Sequence, residues 1–373
     1  MLAINRYYLL PLRWVTVAYT SADKRGDKIM KKTDKILVTG SAGFIGSHLV
    51  DELEREGYDV YGVDDLSGGY LRNVTNQEKF TQLDLRERDK VAKFIARIKP
   101  TVVFHLAADA TEGRSHFTPF SAIDRNLVAY MNLLIPSIKH GMRKMILTSS
   151  MSVYGAQQVP FTEDMLTMPE DTYGVSKASM ETITRINSKV FGFDYVIIRP
   201  HNVFGPRQNI ADPYRNVLGI FINRLLADKH FYIYGDGLQT RAFSYITDIV
   251  PPMVRAASSK ETIGHAINIG GEHVVTLKEV ADMVLDAYFE GREVPKTHLP
   301  KHLPDRPQEV KYAYSDHTKA HEMIGFVPKT SIREGLGEMI KWAKEIGHQE
   351  FVYLDDMDLT TDEIPTTWSQ KLL

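Results

Sequence analysis

The sequence predicts an α/β fold: a doubly wound parallel sheet with a smaller C-terminal lobe for substrate. Three observations predict it. Short β-branched runs alternate with stretches of helical periodicity from about Lys35 to about Arg199. A glycine triplet, Gly40, Gly43 and Gly46, separates the first such run from the first helical stretch. Beyond Arg199 the alternation gives way to a loop-rich, basic and aromatic segment. Strands that alternate with helices of this length form parallel sheets joined by right-handed crossovers.

Taken in chain order, Ile36 to Thr39 is the first strand, Ser47 to Glu56 the first helix and Asp59 to Asp64 the second strand. Further strands are expected in "KFTQLDL", "TVVFHLAA" and "KMILTSS", with helices in "RDKVAKFIARI" and "RNLVAYMNLLIPSIKHG" between them. Phe231 to Tyr234 reads as a strand of the smaller lobe. "TDIVPPMVRAASS" reads as a helix returning to the first lobe, and "TLKEVADMVLDAYF" and "SIREGLGEMIKWAKEIG" as amphipathic structural helices. The chain therefore divides into an extension over 1–34 and a dinucleotide-binding unit over 35–200, on which 244–258 packs back. A substrate lobe over 201–349 and a tail over 350–373 complete it.

The glycines carry the first chemical signal. Gly40 allows a tight turn, Gly43 a close backbone approach, and Gly46 close packing of helix on strand. The helix after them presents unpaired N–H groups and a positive dipole to a pyrophosphate. Asp64 closes the second strand, where its carboxylate accepts hydrogen bonds from ribose hydroxyls and repels a 2′-phosphate. No arginine comes after it within "DDLSGGY", so the expected cofactor is NAD rather than NADP. Ligands in such sheets sit beyond the carboxyl ends of the strands. Asp84 with Leu85, Leu106, Ala107 and Ala108, and Thr148 to Ser150 all fall at such ends.

Tyr173 and Lys177 stand four apart in "EDTYGVSKASME", on one face of a helix. Alone, the pair reads as an amphipathic surface helix with a solvated lysine. It gains meaning from its company: "TGSAGFIGSH", "HLAA", "TSSMSVYG", "YGVSK" and "RPHNVFGPRQN", in this order. Together these motifs resemble the extended short-chain dehydrogenase/reductase family, and within it nucleotide-sugar epimerases of the UDP-glucose 4-epimerase type. The resemblance runs from about Lys35 to about Gly347. It implies a Rossmann-like dinucleotide-binding half in which Phe44 and Ile45 of the glycine loop also face the cofactor. It implies Tyr173 as the acid/base toward a sugar hydroxyl and Lys177 as the ammonium that lowers the phenol's pKa. Ser150 is the hydroxyl that helps pass the proton. Asn126 matches an asparagine that the family places against the cofactor. Asn202, Arg241 and Arg306 are the implied diphosphate contacts, and Glu309 stands where the family often places an aspartate against the ribose.

The shared first step in this family is oxidation of a sugar carbon; its members differ in the step after it. Dehydratases carry an acidic pair directly after the strand-end serine or threonine. Here those positions are Met151 and Ser152, which do not titrate usefully, so epimerisation is expected unless Glu112 or Glu163 reaches in from a loop. A 4,6-dehydratase or ketoreductase is the enzymatic alternative, and a non-catalytic NAD sensor the alternative from another class. The loop "ADATEGRSHFTPF" departs from the best-known 4-epimerases, with Ala110 where they have a lysine, which leaves the sugar unspecified.

Composition narrows the partners. A formal charge of −2 over 373 residues gives no general electrostatic case for nucleic acid or an anionic membrane. The absence of cysteine excludes disulfides and thiolate chemistry and fits a reducing compartment, so a cytoplasmic location is expected. The thirteen histidines lack metal-ligand spacing, so no metal is expected. The leader "INRYYLLPLRWVTVAY" is too short and interrupted to span a bilayer. It reads as a dispensable extension before Met30, with a targeting peptide as the other reading. A homodimer is expected by analogy with relatives.

Overall fold

A computed structural model of the chain describes residues 29–306 and 310–373; the leader through Lys28 and the expected ribose contact Glu309 lie outside the described residues. Seven strands form one parallel sheet. They are β1 (Lys35–Thr39), β2 (Asp59–Asp64), β3 (Phe80–Gln82), β4 (Val102–His105), β5 (Lys144–Thr148), β6 (Asp194–Pro200) and β7 (Ala266–Ile269). Their spatial order is β7-β6-β5-β4-β1-β2-β3, every neighbouring pair parallel. The order reverses between β1 and β4, and that reversal opens a crevice at the carboxyl ends of the strands.

Alternation along each strand explains why both faces are covered. Ile36 and Val38, Val102 and Phe104, and Val196 and Ile198 enter one apolar cluster. Leu37, Val103 and Ile197, from the same strands, enter another on the opposite face. The first face is covered by α1 (Phe44–Arg55), through Leu49 and Leu53, and by a second helix, Ile246–Ser258, that packs on α1. The second face is covered by α2 (Arg88–Ile98), α3 (Ala129–Lys139) and α4 (Thr172–Phe191).

Two elements differ from expectation. The long helix predicted across "RNLVAYMNLLIPSIKHG" begins as a π-helical stretch, Ile123–Val128, and only then tightens into α3. The strand expected across "KFTQLDL" is reduced to β3, an edge strand paired only with β2, because the chain turns away at Asp84.

In the smaller lobe the strand Thr240–Ala242 pairs with Val274–Thr276 and Tyr312–Ala313, and Tyr232–Tyr234 pairs with Lys301–Leu303. Helices Leu277–Phe289 and Ile332–Ile346 each start with a capping box, Thr276 with Glu279 and Ser331 with Glu334. Phe221, Val280 and Leu336 of this lobe share a cluster with Ile36 and Leu49, so one apolar core joins the two parts. The tail is docked rather than loose: Trp368 is buried and donates its indole N–H to the Pro213 carbonyl. No helix among the described residues is long and apolar enough to cross a membrane.

Candidate active site

The crevice continues into a cavity of about 720 Å³ lined by the strand ends of the sheet, the smaller lobe and the tail. Its inner half is a glycine cradle. Gly40 adopts φ +70°, and a Cβ there would stand 2.8 Å from the Ala107 nitrogen. A Cβ on Gly46 would fall 2.0 Å from the Gly40 carbonyl oxygen, so helix and turn close-pack only because none exists. No side chain caps α1, whose N-terminus begins at Gly43 beside the cavity. Such a terminus attracts an anion.

Asp64 sits at the end of β2 and lines the cavity, its two oxygens accepting from Ala42 N–H (3.1 Å) and Leu66 N–H (2.8 Å). Burial raises its carboxyl pKa, against the backbone hydrogen bonds. Each carboxylate oxygen has a second lone-pair site for a ribose hydroxyl. The cavity wall also holds buried polar atoms without a protein partner, Thr148 Oγ1 and Gln208 Oε1. Glycine cradle, bare helix end, Asp64 and orphaned polar atoms together fit a dinucleotide.

Phe44, Ile45, Leu85, Leu106, Ala107 and Ala108 line this half, as does Asp84, whose carboxylate pairs with Arg86 at 2.6 Å. Asn126 does not line it. Its side chain is fully buried, donating to the Ala122 and Asp109 carbonyls and accepting from Asp109 N–H. Through these bonds Asn126 anchors the loop after β4.

The catalytic candidates converge where β5 ends and α4 begins. Asp171 caps α4 by accepting from Gly174 N–H at 2.7 Å, which fixes the first turn and delivers Tyr173 to the cavity. Tyr173 lies beside the Ser150 hydroxyl, and both line the cavity. Ser150 Oγ lies 3.2 Å from Ser152 Oγ, and Ser152 in turn donates to the Glu112 carboxylate. A line of hydroxyls thus runs from the phenol to a carboxylate at the cavity wall. Lys177 is buried, donates to the Thr148 carbonyl at 2.8 Å and holds its ammonium 5.7 Å from the Tyr173 ring centroid.

Burial first, and the Glu112 carboxylate second, push the Tyr173 phenol above its ordinary value, against the Ser150 hydroxyl and the charge of Arg215. Burial likewise pulls the Lys177 pKa down to about 8, against Glu181.

Beneath lies a network that the sequence did not disclose. Arg199, at the end of β6, makes a bidentate pair with Glu181 of α4 (2.8 and 2.7 Å) and reaches Tyr154 at 2.7 Å. Glu181 also accepts from Ser149 at 2.6 Å, and Tyr154 donates to Asn268 at 2.7 Å. Burial acts to raise the Glu181 carboxyl, but its hydrogen bonds and the Arg199 charge bring it below its ordinary value. Removing one partner of such a buried pair costs about 3–5 kcal/mol. Tyr154 enters this network from the short 3₁₀ turn Met151–Tyr154 that follows β5. The one available signal was an arginine ending a buried strand before Pro200.

The outer half holds Asn202, Arg241 and Arg306, all lining the cavity. Asn202 donates one amide N–H to the Ala242 carbonyl at 3.0 Å, and Arg241 is steadied by the Thr240 carbonyl at 2.8 Å. Arg114 and Arg215, which sequence reasoning missed, also line the wall, paired with Asp109 and Asp212. Glu112 does reach in; Glu163 does not, because its carboxylate is held by Asn268 N–H at 2.8 Å.

Comparison with known proteins agrees with this geometry. The sequence pattern of the NAD dependent epimerase/dehydratase family matches residues 36–270. A UDP-glucose 4-epimerase of Mycolicibacterium smegmatis is 33% identical over 317 residues, covering 83% of this chain and 98% of that protein. A UDP-N-acetyl-alpha-D-glucosaminuronate decarboxylase of Bacillus cytotoxicus is 32% identical, covering 85% and 99%. Among solved structures, the UDP-glucose 4-epimerase of Thermotoga maritima with UDP-glucose superposes with a TM-score of 0.76 at 32% identity, covering 84% of this chain and 99% of that one.

The site's charge pattern has a measurable consequence. Burial first and Glu112 second raise the Asp171 carboxyl from 3.8 to about 6. A carboxyl whose pKa is raised on folding stabilises the protein at low pH, and that contribution is lost as pH rises through the folded value. Asp171→Asn keeps a capping acceptor but removes the titration. Denaturant unfolding should show the variant gaining on the wild type between about pH 4 and about pH 7. Parallel stability curves across that window contradict the assignment.

Proposed function

The chain belongs to the NAD-dependent epimerase/dehydratase family, and from that premise we propose that it interconverts C4 epimers of a UDP-hexose, of the UDP-glucose/UDP-galactose kind, through a transient 4-keto sugar. The observation that supports this most is the convergence of Tyr173, Ser150 and Lys177 on the cavity beside the glycine cradle, with Met151 where elimination chemistry requires an acid. NAD, when bound, supplies a hydride acceptor and later a donor, together with a positive charge while oxidised.

The residues of this chain divide the remaining work. Gly40, Gly43 and Gly46 let the backbone approach the pyrophosphate, and Asp64 takes the adenosine ribose. Tyr173 receives the proton of the sugar hydroxyl and returns it once the ring has turned over. Ser150 holds that hydroxyl in line, and Lys177, fixed on the Thr148 carbonyl, orients the nicotinamide ribose. Asn202, Arg241 and Arg306 hold the diphosphate while the sugar turns.

One observation favours a second reading. The Glu112 carboxylate stands in the cavity wall and accepts from Ser152, so an acid/base group is present although Met151 is not one. In that reading the keto sugar loses water, as in a 4,6-dehydratase. A passive NAD sensor has no use for Tyr173, Ser150 and Lys177 assembled at one edge of the cradle.

Exposed apolar side chains on two adjacent helices support a homodimer: Ile135 on α3, and Val175, Ile186, Val190 and Phe191 on α4. Sedimentation should return twice the chain mass, and a monomer at micromolar concentration contradicts this part.

Incubation with UDP-glucose or UDP-galactose should give interconversion without net consumption of NAD. Accumulation of a 4-keto-6-deoxy sugar instead selects the dehydratase reading. Tyr173→Phe should lower kcat by about 10²–10⁴-fold while NAD binding persists. Undiminished turnover in that variant overturns the role given to Tyr173.

A further inference from the structure

We propose that residues 350–373 form the outer wall of the nucleotide-sugar site, with Trp368 as a positioning residue that fixes Arg306 toward the substrate diphosphate. This rests on the nucleotide-sugar reading above and adds to it a segment beyond the 36–270 family match and beyond the resemblance, which ends near Gly347.

Chain ends stay poorly ordered unless something ties them down. Here the segment is tied to three separate walls of the cavity. Val352 N–H donates to the Ala211 carbonyl (3.1 Å) and Leu354 N–H to the Tyr214 hydroxyl (2.8 Å), on the loop after the "RPHNVFG" motif. Leu359 N–H donates to the Phe117 carbonyl (3.1 Å), and Asp358 accepts from Phe120 N–H (2.9 Å), on the loop after β4. Thr367 N–H donates to the Tyr234 hydroxyl (3.0 Å), on a strand of the smaller lobe. One segment thereby fixes the mutual spacing of three surfaces that come from distant parts of the chain.

Trp368 is the centre of this arrangement. It is 6% exposed, although the segment around it, "TDEIPTTWSQK", is mostly polar. Its ring meets Tyr214 edge-on at 5.2 Å and Phe117 at 6.3 Å. The Arg306 guanidinium lies over that ring, 4.8 Å from its centroid. Gly113 lies against the guanidinium, where a Cβ would stand 2.2 Å from Arg306 Nη2. Ring and glycine therefore both constrain the guanidinium. Stacking fixes the plane of the guanidinium, and arginine recognises phosphates through that plane's fork of donors. Trp368, Thr367 and Leu354 themselves line the cavity beside Arg306, Arg241 and Tyr234. The ligand class this wall serves is the nucleoside diphosphate half of the substrate.

The test compares wild type with Trp368→Ala, Trp368→Phe and a chain ended after Glu350. Uridine diphosphate and NAD binding are measured by calorimetry, and KM and kcat with UDP-hexose. Trp368→Ala and the shortened chain should weaken uridine diphosphate binding and raise KM by about tenfold or more. NAD affinity should stay within about twofold, and Trp368→Phe, which restores a stacking ring, should recover most of the loss. Gly113→Ala keeps the tail's sequence, meets Trp368 only at ordinary contact distance (3.5 Å), displaces Arg306 and should reproduce the loss even if the other variants fail to fold. Unchanged uridine diphosphate affinity and KM in Trp368→Ala or Gly113→Ala overturn the proposal. A wild type that binds neither uridine diphosphate nor UDP-hexose defeats the nucleotide-sugar reading itself, a distinct outcome.

Discussion

Placing a phenol, an ammonium and carboxylates in one desolvated corner is the constraint on which the rest of the site depends. Tyr173 and Lys177 are both almost fully buried, and burial drives their pKa values in opposite directions, each toward its neutral form. Neutral groups close together are tolerable in a dry site; charged ones need compensation. The groups around them supply it: the Ser150 hydroxyl beside the phenol, the Thr148 carbonyl accepting from the ammonium, and the Glu181 charge one helical turn beyond. The corner is poised to carry charge only when a positive ring and a sugar hydroxyl enter together.

That corner needs a rigid floor, and the Arg199–Glu181 pair provides one. A bidentate ion pair inside a protein is weak evidence for stability, because desolvation offsets much of its attraction. Its value here is geometric. Glu181 lies on α4 with Tyr173 and Lys177, Arg199 on β6, Ser149 beside Ser150 at the end of β5, and Asn268 on β7. The helix carrying the acid/base is thereby locked in register with three strands.

The sheet and the cradle were legible in the sequence because their signals are local. Period-two alternation in β1, β4 and β6, the spacing of Gly40, Gly43 and Gly46, and Asp64 at a strand end are each properties of a short window. Residues whose role depends on distant chain were not legible. Asn126 looks like a cofactor contact by motif, yet its hydrogen bonds close on Asp109 and Ala122 once the π-helical stretch forms. Arg215 and Arg114 gain their places from Asp212 and Asp109 within loops that carry no periodicity. The tail was read as outside the site because nothing local links Trp368 to Arg306. The only hint was a tryptophan in an otherwise polar segment.

Transient oxidation at one sugar carbon, with the same hydrogen returned to that carbon, is the central claim. A UDP-hexose deuterated at C4, turned over in ordinary water and monitored by NMR or mass spectrometry, tests it directly. The epimerised product should keep the label at C4. Loss of the label to solvent contradicts the claim, because the hydrogen would then have left as a proton, and label found at C6 would place the chemistry with dehydration.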